Sequence, residues 1–329
     1  MPCHAVYPDN VYGLSDSTML LIGAHGFVGR HMYEAATSAG LDVITTDRDG
    51  SRGLDCDLLD PVSVAACISN TRPGRIVNMA GAASVAASWE DPAAALAINA
   101  TGVLHLLEAV ARHAPEAHVL CASSGEVYGE AGEGGPPFVE ARQPAPVTPY
   151  GASKAAMEVL CGQYARGQGL RIAIVRAFGL LGPGQLPDFT ASGFARQIAV
   201  AEVAGAERVE LAVGNLTAAR DFTDVRDAAR AFLDVSRREL TGTFNLCSGK
   251  ATKLEDLVAK MAKATPLPVE VVAEPSLARP ADPSTVYGDP ARLREATGWE
   301  PRIPLAQTVA DLLDWWRAEL GGAPSISSP

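Results

Sequence analysis

The sequence contains no uninterrupted apolar run of about 18 residues, the length that a helix needs to cross the hydrocarbon core of a membrane. Residues 1–17 contain no continuous apolar core, so they do not resemble a signal peptide. We therefore expect a cytoplasmic protein with no membrane partner. The two ends, 1–17 and 321–329, are predicted to be flexible tails.

Cysteine is scarce, and none of the cysteines forms a Cys-x-x-Cys pair or stands beside a histidine pattern that marks a metal site. The cysteines are Cys3, Cys56, Cys67, Cys121, Cys161 and Cys247. Because structural disulfides belong to oxidising compartments, this pattern indicates free, mostly buried thiols in a reducing cytosol. No metal is expected.

Basic residues are few, since 27 Lys and Arg stand against 38 Asp and Glu, which gives a net charge of -11 and a pI of about 5.0. They are scattered, which argues against nucleic acid as a partner. An acidic chain can still bind an anionic ligand through local arginines and a helix N-terminus. With 329 residues, 47% hydrophobic and 20% charged, the chain can form a sizeable core in one large or two modest domains.

Short apolar segments alternate with helix-like segments over the first half of the chain. The apolar segments are 18–22, 41–46, 75–80, 117–122 and 171–176, and the helix-like segments are 29–39, 61–70, 92–113 and 151–166. This alternation predicts an α/β fold: a Rossmann-type, doubly wound parallel sheet with helices on both faces. The segment 243–247 should return to this sheet.

A glycine-rich segment, Gly23-Ala24-His25-Gly26-Phe27-Val28-Gly29, follows the first apolar segment and precedes a helix-like stretch. Strand, glycine turn and helix form the context of a dinucleotide-binding loop. The glycines let the backbone approach a pyrophosphate, and the helix N-terminus offers free N–H groups to the phosphates. Gly23, Gly26 and Gly29 are therefore candidate cofactor residues; the alternative is a purely structural turn.

Acidic residues follow the second apolar segment. Asp47 comes 24 residues after Gly23, where a carboxylate that binds the adenosine ribose belongs. Such a carboxylate favours NAD, whereas the neighbouring Arg48 could pair with the 2′-phosphate of NADP. The sequence therefore leaves the coenzyme open and leans to NAD. Asp57 and Leu58 are expected near the adenine.

Two serines, Ser123 and Ser124, stand at the end of the fourth apolar segment and are followed by Gly125 and Glu126. Ligands of open parallel sheets bind at the carboxyl ends of the strands, so a hydroxyl here can hold a substrate oxygen. A serine-rich turn without function is the alternative interpretation.

Tyr150 and Lys154 stand four residues apart in Thr148-Pro149-Tyr150-Gly151-Ala152-Ser153-Lys154, so on a helix they share one face. A lysine ammonium beside a phenol stabilises the phenolate, and we expect Lys154 to lower the pKa of Tyr150. A tyrosine poised in this way can exchange a proton with a sugar hydroxyl or ketone while a nicotinamide carries hydride. By itself this spacing also occurs by chance on helix surfaces.

The glycine loop, the serine stretch and Tyr-x-x-x-Lys, in this order, resemble the extended short-chain dehydrogenase/reductases that act on nucleotide sugars. The resemblance covers about residues 18–318 and implies that Ser124, Tyr150 and Lys154 are catalytic. It implies NAD(H) or NADP(H) as cofactor. The further cofactor contacts that it implies are Phe27, Val28, Ala80 and Asn99, together with Tyr150 and Lys154.

Several runs in the second half are similar to members of this family that use GDP-sugars. These runs are Gly182-Pro183-Gly184-Gln185, 194–198, Val213-Gly214-Asn215-Leu216, 220–225 and Arg279-Pro280-Ala281-Asp282. The chain most resembles GDP-4-dehydro-6-deoxy-D-mannose reductases, close relatives of the GDP-mannose 4,6-dehydratases. The resemblance implies a GDP-sugar substrate, and it implies substrate contacts at Ser84, Ser124, Gly125, Gly179, Asn215, Arg220, Arg279 and Asp282. The arginines are also plausible diphosphate partners by chemistry, because a guanidinium matches phosphate oxygens.

The chain departs from the family at one place. After Arg176-Ala177-Phe178 the family usually has Asn-His, and here Gly179-Leu180 stands instead. Because that asparagine normally touches the nucleotide sugar, the identity of the hexose is open.

Glu126 leaves the reaction open as well. In the dehydratases a glutamate at this place removes the C5 proton, whereas a 4-keto reductase does not need it. The hypotheses are reduction of a GDP-4-keto-6-deoxyhexose in deoxysugar biosynthesis, 4,6-dehydration, epimerisation, or a non-catalytic sensor of NAD(P) or sugar nucleotides. Retention of both Tyr150 and Lys154 speaks against the sensor.

The expected domains are an NAD(P)-binding domain, 18–178 plus 223–247, and a smaller C-terminal α/β domain for the sugar nucleotide, 179–222 plus 248–320. The helices at 92–113 and 151–166 are rich in alanine and leucine. In the family such helices form a dimeric four-helix bundle, so we expect a homodimer.

Overall fold

The computed structural model describes residues 18–130, 135–277 and 284–321, and these form an α/β protein. The strands in these residues are β1 Thr18–Ile22, β2 Asp42–Asp47, β3 Leu54–Asp55, β4 Arg75–Asn78, β5 His118–Ser124, β6 Arg171–Ala177, β7 Gly179–Leu181, β8 Val209–Val213, β9 Ala219–Asp224, β10 Gly242–Leu246, β11 Ala251–Lys253, β12 Val269–Ala273 and β13 Thr285–Val286.

The helices alternate with the strands through the first half of the chain. They are α1 Phe27–Ser38, α2 Pro61–Thr71, α3 Val85–Glu90, α4 Pro92–Leu96, α5 Gly102–His113, α6 Pro149–Gln168, α7 Thr190–Val203, α8 Val225–Arg237, α9 Leu254–Lys263, α10 Ala291–Thr297 and α11 Leu305–Gly321. A π-turn, Ala97–Thr101, joins α4 to α5, and short 3-10 turns span Gly125–Tyr128 and Pro275–Leu277.

The central sheet is parallel throughout and has seven strands in the order β10-β6-β5-β4-β1-β2-β3. The strand order reverses between β1 and β4, and such a switch point opens a crevice at the carboxyl ends of the strands. The predicted Rossmann-type sheet is confirmed, including the return of 243–247 to it as β10.

Helices cover both faces of this sheet. On one face α2, α5 and α6 bury side chains such as Ile68, Leu106 and Met157 against β1, β4 and β5. On the other face α1 and α8 bury Met32 and Phe232 against the same strands. Both faces of the sheet are therefore buried, which explains why its strands are continuous apolar segments in the sequence.

A third core lies apart from the sheet and is built by the second half of the chain. It combines α7, β8, α9 and α11, and its members include Phe194, Leu257 and Trp316. The division of the chain into a cofactor domain and a sugar-nucleotide domain remains a prediction.

The helical pieces α4, π-turn and α5 run on from Pro92 to His113, and this 22-residue stretch is long and apolar enough to cross a membrane by length and composition. The sequence predicts a helix over 92–113, but it contains no uninterrupted apolar run of about 18 residues, because polar residues such as Asn99, Thr101 and His105 interrupt this stretch. Half of its most apolar window is buried inside the protein. One such helix is weak evidence for a membrane span, since a core helix passes the same test.

Candidate active site

A cleft of about 1190 Å³ lies at the carboxyl ends of β1, β4, β5 and β6. Its floor comes from residues that follow these strands, 26–29, 79, 81–86, 122–126 and 177–180. Its far side includes 185–191, 212, 214–215 and 220–222. Pockets for one drug-sized ligand measure about 300–1,000 Å³. The cleft is therefore larger than the usual site of a single small ligand.

The glycine loop folds back on itself between β1 and α1. Gly23 has a φ of 82°, and a Cβ there would lie 2.6 Å from the backbone N of Ala80. A Cβ at Gly29 would lie 2.0 Å from the carbonyl O of Gly23. Both positions therefore exclude any side chain.

The first turn of α1 is open to an anion. Its N-cap, Gly26, offers no side-chain oxygen, and the turn carries no acidic residue. The N–H groups of Phe27, Val28 and Gly29 have no partner within the helix, and these residues line the cleft. This end of the helix fits a pyrophosphate.

The candidate adenosine contacts lie outside this cleft, at the ends of β2 and β3. Asp47 accepts hydrogen bonds from the Ser51 hydroxyl at 3.0 Å and from Nε of Arg52 at 3.1 Å. These bonds, first that from Ser51, hold the pKa of Asp47 below its usual range. The carboxylate is thus already paired with a cation that the sequence analysis did not consider. Arg48 is exposed beside it.

Asp57 and Leu58 follow β3. Asp57 caps the turn by accepting from the N–H of Leu59 at 3.0 Å, and Leu58 is buried beneath α5. Their contact with an adenine remains a prediction.

Asn99 lies in the π-turn and supports the cleft wall from behind. Its side chain accepts a hydrogen bond from the N–H of Ala82 at 3.0 Å and donates to the carbonyl of Ala82 at 3.0 Å and to the Ser153 hydroxyl at 2.9 Å. It therefore joins the segment after β4 to α6. Neither Asn99 nor Ala80 lines the cleft itself.

Ser124 and Glu126 reach the cleft from the end of β5. The Ser124 hydroxyl accepts from the N–H of Glu126 at 3.2 Å, which starts the 3-10 turn. A Cβ at Gly125 would lie 2.8 Å from the ring of Phe178, so only glycine fits there.

Tyr150 and Lys154 lie on the first turns of α6. This helix begins where the sequence signals it, because the Thr148 hydroxyl accepts from the N–H of Gly151 at 3.0 Å and Pro149 takes the first position. Both side chains are buried and line the cleft together with Ser124. The predicted trio thus comes together in space.

The electrostatics of this trio differ from the sequence expectation. Burial raises the pKa of Tyr150 to about 12, while a hydrogen bond with Ser124 lowers it and the Glu126 carboxylate raises it. Lys154 is not among the groups that shift this pKa, and its ammonium donates to the carbonyl of Ala122 at 2.9 Å. The expectation that Lys154 lowers the pKa of Tyr150 is wrong for this structure. Burial lowers the pKa of Lys154 itself to about 8.

The candidate substrate contacts are only partly brought together. Ser84, Ser124, Gly125, Gly179, Asn215 and Arg220 all line the cleft. Arg279 and Asp282 lie outside the described residues. Arg220 is half-buried, and its Nη1 donates to the carbonyl of Ala219 at 2.8 Å.

Sequence reasoning missed other parts of the site. Trp89, Glu90 and the segment 186–191 line the cleft, and no local pattern marked them. Ser88 accepts from the N–H of Tyr150 at 3.1 Å, again without a sequence signal. Glu158 had a signal, since it repeats the four-residue spacing of Tyr150 and Lys154 along α6.

Comparisons with known proteins agree with this architecture. Residues 20–312 match the family model described as GDP-mannose 4,6 dehydratase. A GDP-6-deoxy-D-mannose reductase of Pseudomonas aeruginosa is 34% identical over 305 residues, which cover 92% of this chain and 98% of that protein.

Two solved structures have the same fold over nearly their full length. RMD from Pseudomonas aeruginosa complexed with NADPH has a TM-score of 0.83 and 32% identity, over 92% of this chain and 99% of that one. UDP-glucose 4-epimerase of Thermus thermophilus in complex with NAD has a TM-score of 0.80 and 27% identity, over 93% and 99% of the two chains.

Proposed function

The chain belongs to the GDP-mannose 4,6-dehydratase family, and from this premise we propose that it is an NAD(P)H-dependent oxidoreductase that reduces the 4-keto group of a GDP-4-keto-6-deoxyhexose. The observation that carries the proposal is that Ser124, Tyr150 and Lys154 line one cleft together with the glycine loop. Tyr150 is buried there, and its phenol is protonated at neutral pH because burial raises its pKa to about 12. A reductase needs this protonated form, because the forming alkoxide at C4 takes up a proton.

The residues of the cleft fit such a reaction. Bound NAD(P)H supplies the hydride, and the capless first turn of α1 is suited to its pyrophosphate. Tyr150 donates its proton to the forming C4 alkoxide, and the Ser124 hydroxyl donates a hydrogen bond to the same oxygen. Lys154, charged below about pH 8, places a positive charge in the same cleft, which is proposed to stabilise the negative charge that develops on the C4 oxygen. Hydroxyl donors aimed at a developing oxyanion are worth about 2.7–4 kcal/mol each.

The GDP-sugar is proposed from the relatives and from local chemistry. The reductase of Pseudomonas aeruginosa acts on a GDP-sugar by its name, and Arg220 offers a guanidinium to a diphosphate within the cleft.

The coenzyme choice follows from the Asp47 pair. Because Arg52 already neutralises this carboxylate, Asp47 repels a 2′-phosphate less than a bare carboxylate would. We therefore propose that both NADH and NADPH are accepted, which moves away from the sequence's lean to NAD alone.

The test is incubation of the purified protein with GDP-4-keto-6-deoxymannose and either NADH or NADPH, followed by loss of absorbance at 340 nm and analysis of the product. Oxidation of the coenzyme with formation of a GDP-6-deoxyhexose is expected. Absence of oxidation with both coenzymes, at coenzyme concentrations that saturate the enzyme, contradicts the reductase.

Glu126 favours a second candidate, 4,6-dehydration or epimerisation. It lines the cleft, and its charge acts on the Tyr150 phenol. A carboxylate in the cleft beside Tyr150 is a candidate base for removing a proton from the sugar. The test is GDP-mannose without added reduced coenzyme, with wild type and Glu126→Gln. A dehydratase forms the 4-keto product and loses this activity in the variant, whereas a pure reductase forms none and keeps its reductase rate in the variant.

The exposed apolar side chains of α4 and α6 support the proposal of a homodimer. Leu96 on α4 and Val159 on α6 are 48% and 69% exposed, and the two helices pack side by side. Burying them against a second copy would remove this apolar surface from water. Sedimentation equilibrium should report a dimer for the wild type and a monomer for Val159→Glu; a wild-type monomer contradicts the proposal.

The cytoplasm remains our proposed location. In the described residues Cys56, Cys67, Cys121, Cys161 and Cys247 are all free and buried, as thiols are in a reducing compartment. We propose deoxysugar biosynthesis as the process.

A further inference from the structure

Glu158 forms a buried polar centre behind the catalytic residues. It lies on α6 four residues after Lys154 and eight after Tyr150, so the three share a helix face. Its Oε1 accepts from the Ser123 hydroxyl at 2.6 Å and from Nε of Arg176 at 3.0 Å. Its Oε2 accepts from Nη2 of Arg176 at 2.6 Å. The side chains of Glu158 and Arg176 are only 7% and 6% exposed.

These contacts join α6 to two strands directly beside the cleft. Ser123 lies on β5 and immediately precedes Ser124, and Arg176 lies on β6 two residues before Phe178. Both strands end at the cleft. A shift of the Glu158 carboxylate would therefore move Ser124 relative to Tyr150.

The guanidinium of Arg176 extends this centre toward the turn that carries Glu126. It stacks on the Tyr128 ring at 4.6 Å, and Tyr128 in turn donates to Oδ1 of Asn245 on β10 at 2.7 Å. Nη1 of Arg176 donates to the carbonyl of Glu140 at 3.4 Å. The centre thus reaches β5, β6, β10 and α6 at once.

Stability alone does not account for such a pair. Apolar residues of similar volume often replace a buried ion pair with no loss of stability, because removing two charges from water is costly. The pair is therefore more informative about geometry and charge than about folding.

We propose that Glu158 is a positioning residue, and this proposal rests on the proposed reductase function. Glu158 holds Ser123 and Arg176, which keeps Ser124 in register with Tyr150. It also supplies a negative charge close to Lys154. It touches neither substrate nor coenzyme, and none of the proposed proton transfers uses it.

The charge of Glu158 acts on Lys154. Burial lowers the pKa of Lys154, while the groups that face it, Cys121, Cys161 and Glu158, raise it. The positive Arg176 faces Glu158 from β6, and the Glu140 carboxylate lies beyond it. Without the Glu158 charge, Lys154 should lose its proton at a lower pH.

The chain offers a matched control. Glu202 also accepts a bidentate pair of bonds from an arginine, Arg317, at 2.6 and 2.8 Å, and one from a hydroxyl, that of Thr265, at 2.5 Å. It lies outside the cleft. Glu202→Gln therefore breaks an equivalent pair without touching the site.

The experiment compares kcat, its pH profile and thermal stability in Glu158→Gln and Glu202→Gln. We expect Glu158→Gln to lower kcat at least about tenfold, with the KM of the coenzyme within about twofold, because the reacting groups are misplaced and not the coenzyme site. The alkaline limb of the kcat–pH profile of Glu158→Gln should move at least about half a pH unit toward neutral pH. Glu202→Gln should keep the wild-type kcat and pH profile. An unmoved limb together with a kcat equal to that of Glu202→Gln overturns the proposal.

Ser123→Ala keeps the ion pair and removes one bond to the carboxylate, so it decides the positioning role if Glu158→Gln does not fold. We expect a fall in kcat of about threefold with the alkaline limb unchanged. A wild-type kcat in Ser123→Ala overturns the role of the Ser123 contact.

A readout without substrate separates this proposal from the proposed reaction. In protein labelled with ¹⁵N-lysine, the Lys154 side-chain signal, assigned by its loss in Lys154→Met, is titrated with pH. If the wild type fails to reduce the sugar, the reductase proposal fails, and a lower Lys154 midpoint in Glu158→Gln still supports the charge effect. An unchanged midpoint there overturns it.

Discussion

Replacing Tyr150 by phenylalanine removes one oxygen and nearly nothing else. Only 9% of Tyr150 is exposed, so the ring keeps its packing in the variant. The phenol takes part in a side-chain hydrogen bond with Ser124, and losing it should cost about 0.5–1.5 kcal/mol of folding stability. The variant should therefore fold, and its coenzyme affinity should be unchanged because the glycine loop lies elsewhere in the cleft.

The effect on turnover should be much larger. The variant loses the proton donor to the C4 alkoxide, a role worth about 10²–10⁴-fold, while the Ser124 hydroxyl still donates to the same oxygen. We therefore expect kcat to fall at least about 100-fold, which corresponds to about 2.7 kcal/mol of lost transition-state stabilisation.

The assay follows absorbance at 340 nm under saturating GDP-4-keto-6-deoxymannose and coenzyme, with coenzyme affinity measured separately by fluorescence. Tyr164→Phe is the matched control, since Tyr164 is a buried tyrosine on the same helix that packs in the core and not in the cleft. It should keep wild-type turnover. A Tyr150→Phe enzyme with kcat within about threefold of the wild type refutes the assignment of Tyr150 as proton donor.

Three further changes test other parts of the site. The buried ammonium of Lys154 loses its proton as pH rises through about 8, so kcat should fall there in the wild type; Lys154→Arg, which stays charged, should lose this limb, as pH profiles of kcat would report. Gly29→Ala places a Cβ 2.0 Å from the carbonyl O of Gly23, so thermal unfolding should show a loss of about 1–3 kcal/mol in folding stability, and a coenzyme titration should show weaker affinity. Wild-type stability together with wild-type affinity would contradict this packing. Arg52→Ala removes the cation that pairs with the Asp47 carboxylate, so the ratio of kcat/KM for NADPH to kcat/KM for NADH should fall about tenfold. An unchanged ratio would show that the Asp47–Arg52 pair does not set the coenzyme preference.

The parts of the fold that the sequence predicts are those with local signals. Helix α6 begins at a threonine cap and a proline and ends at Gly169, whose φ is 74°. The strands of the central sheet are continuous apolar runs because both faces are buried. The position of Ser124 in the cleft follows from the same order of elements, since parallel strands end at one edge of the sheet.

Other parts depend on partners that are distant in the sequence. The pKa of Tyr150 depends on how completely the surrounding segments bury its phenol. The ammonium of Lys154 donates a hydrogen bond to the carbonyl of Ala122. The partners of Glu158 come from β5 and β6, 35 and 18 residues away in the chain. The pairing of Asp47 with Arg52 depends on the fold of the loop after β2. No periodic pattern encodes such contacts.

At Gly179, where the chain departs from the family pattern, the backbone of the neighbouring strand leaves no room for a side chain. A Cβ there would lie 2.8 Å from the carbonyl O of Asp221 on the neighbouring β9, so the asparagine that the family usually carries would push that strand away. Asp221 cannot yield easily, because its buried carboxylate accepts from the N–H groups of Ser248 and Gly249 at 2.7 and 2.9 Å. The proton-donating trio lies on β5 and α6, outside this arrangement. If the proposed function holds, the type of reaction and the identity of the sugar therefore depend on separate parts of the cleft, and the departure from the family pattern at Gly179 lies in the second.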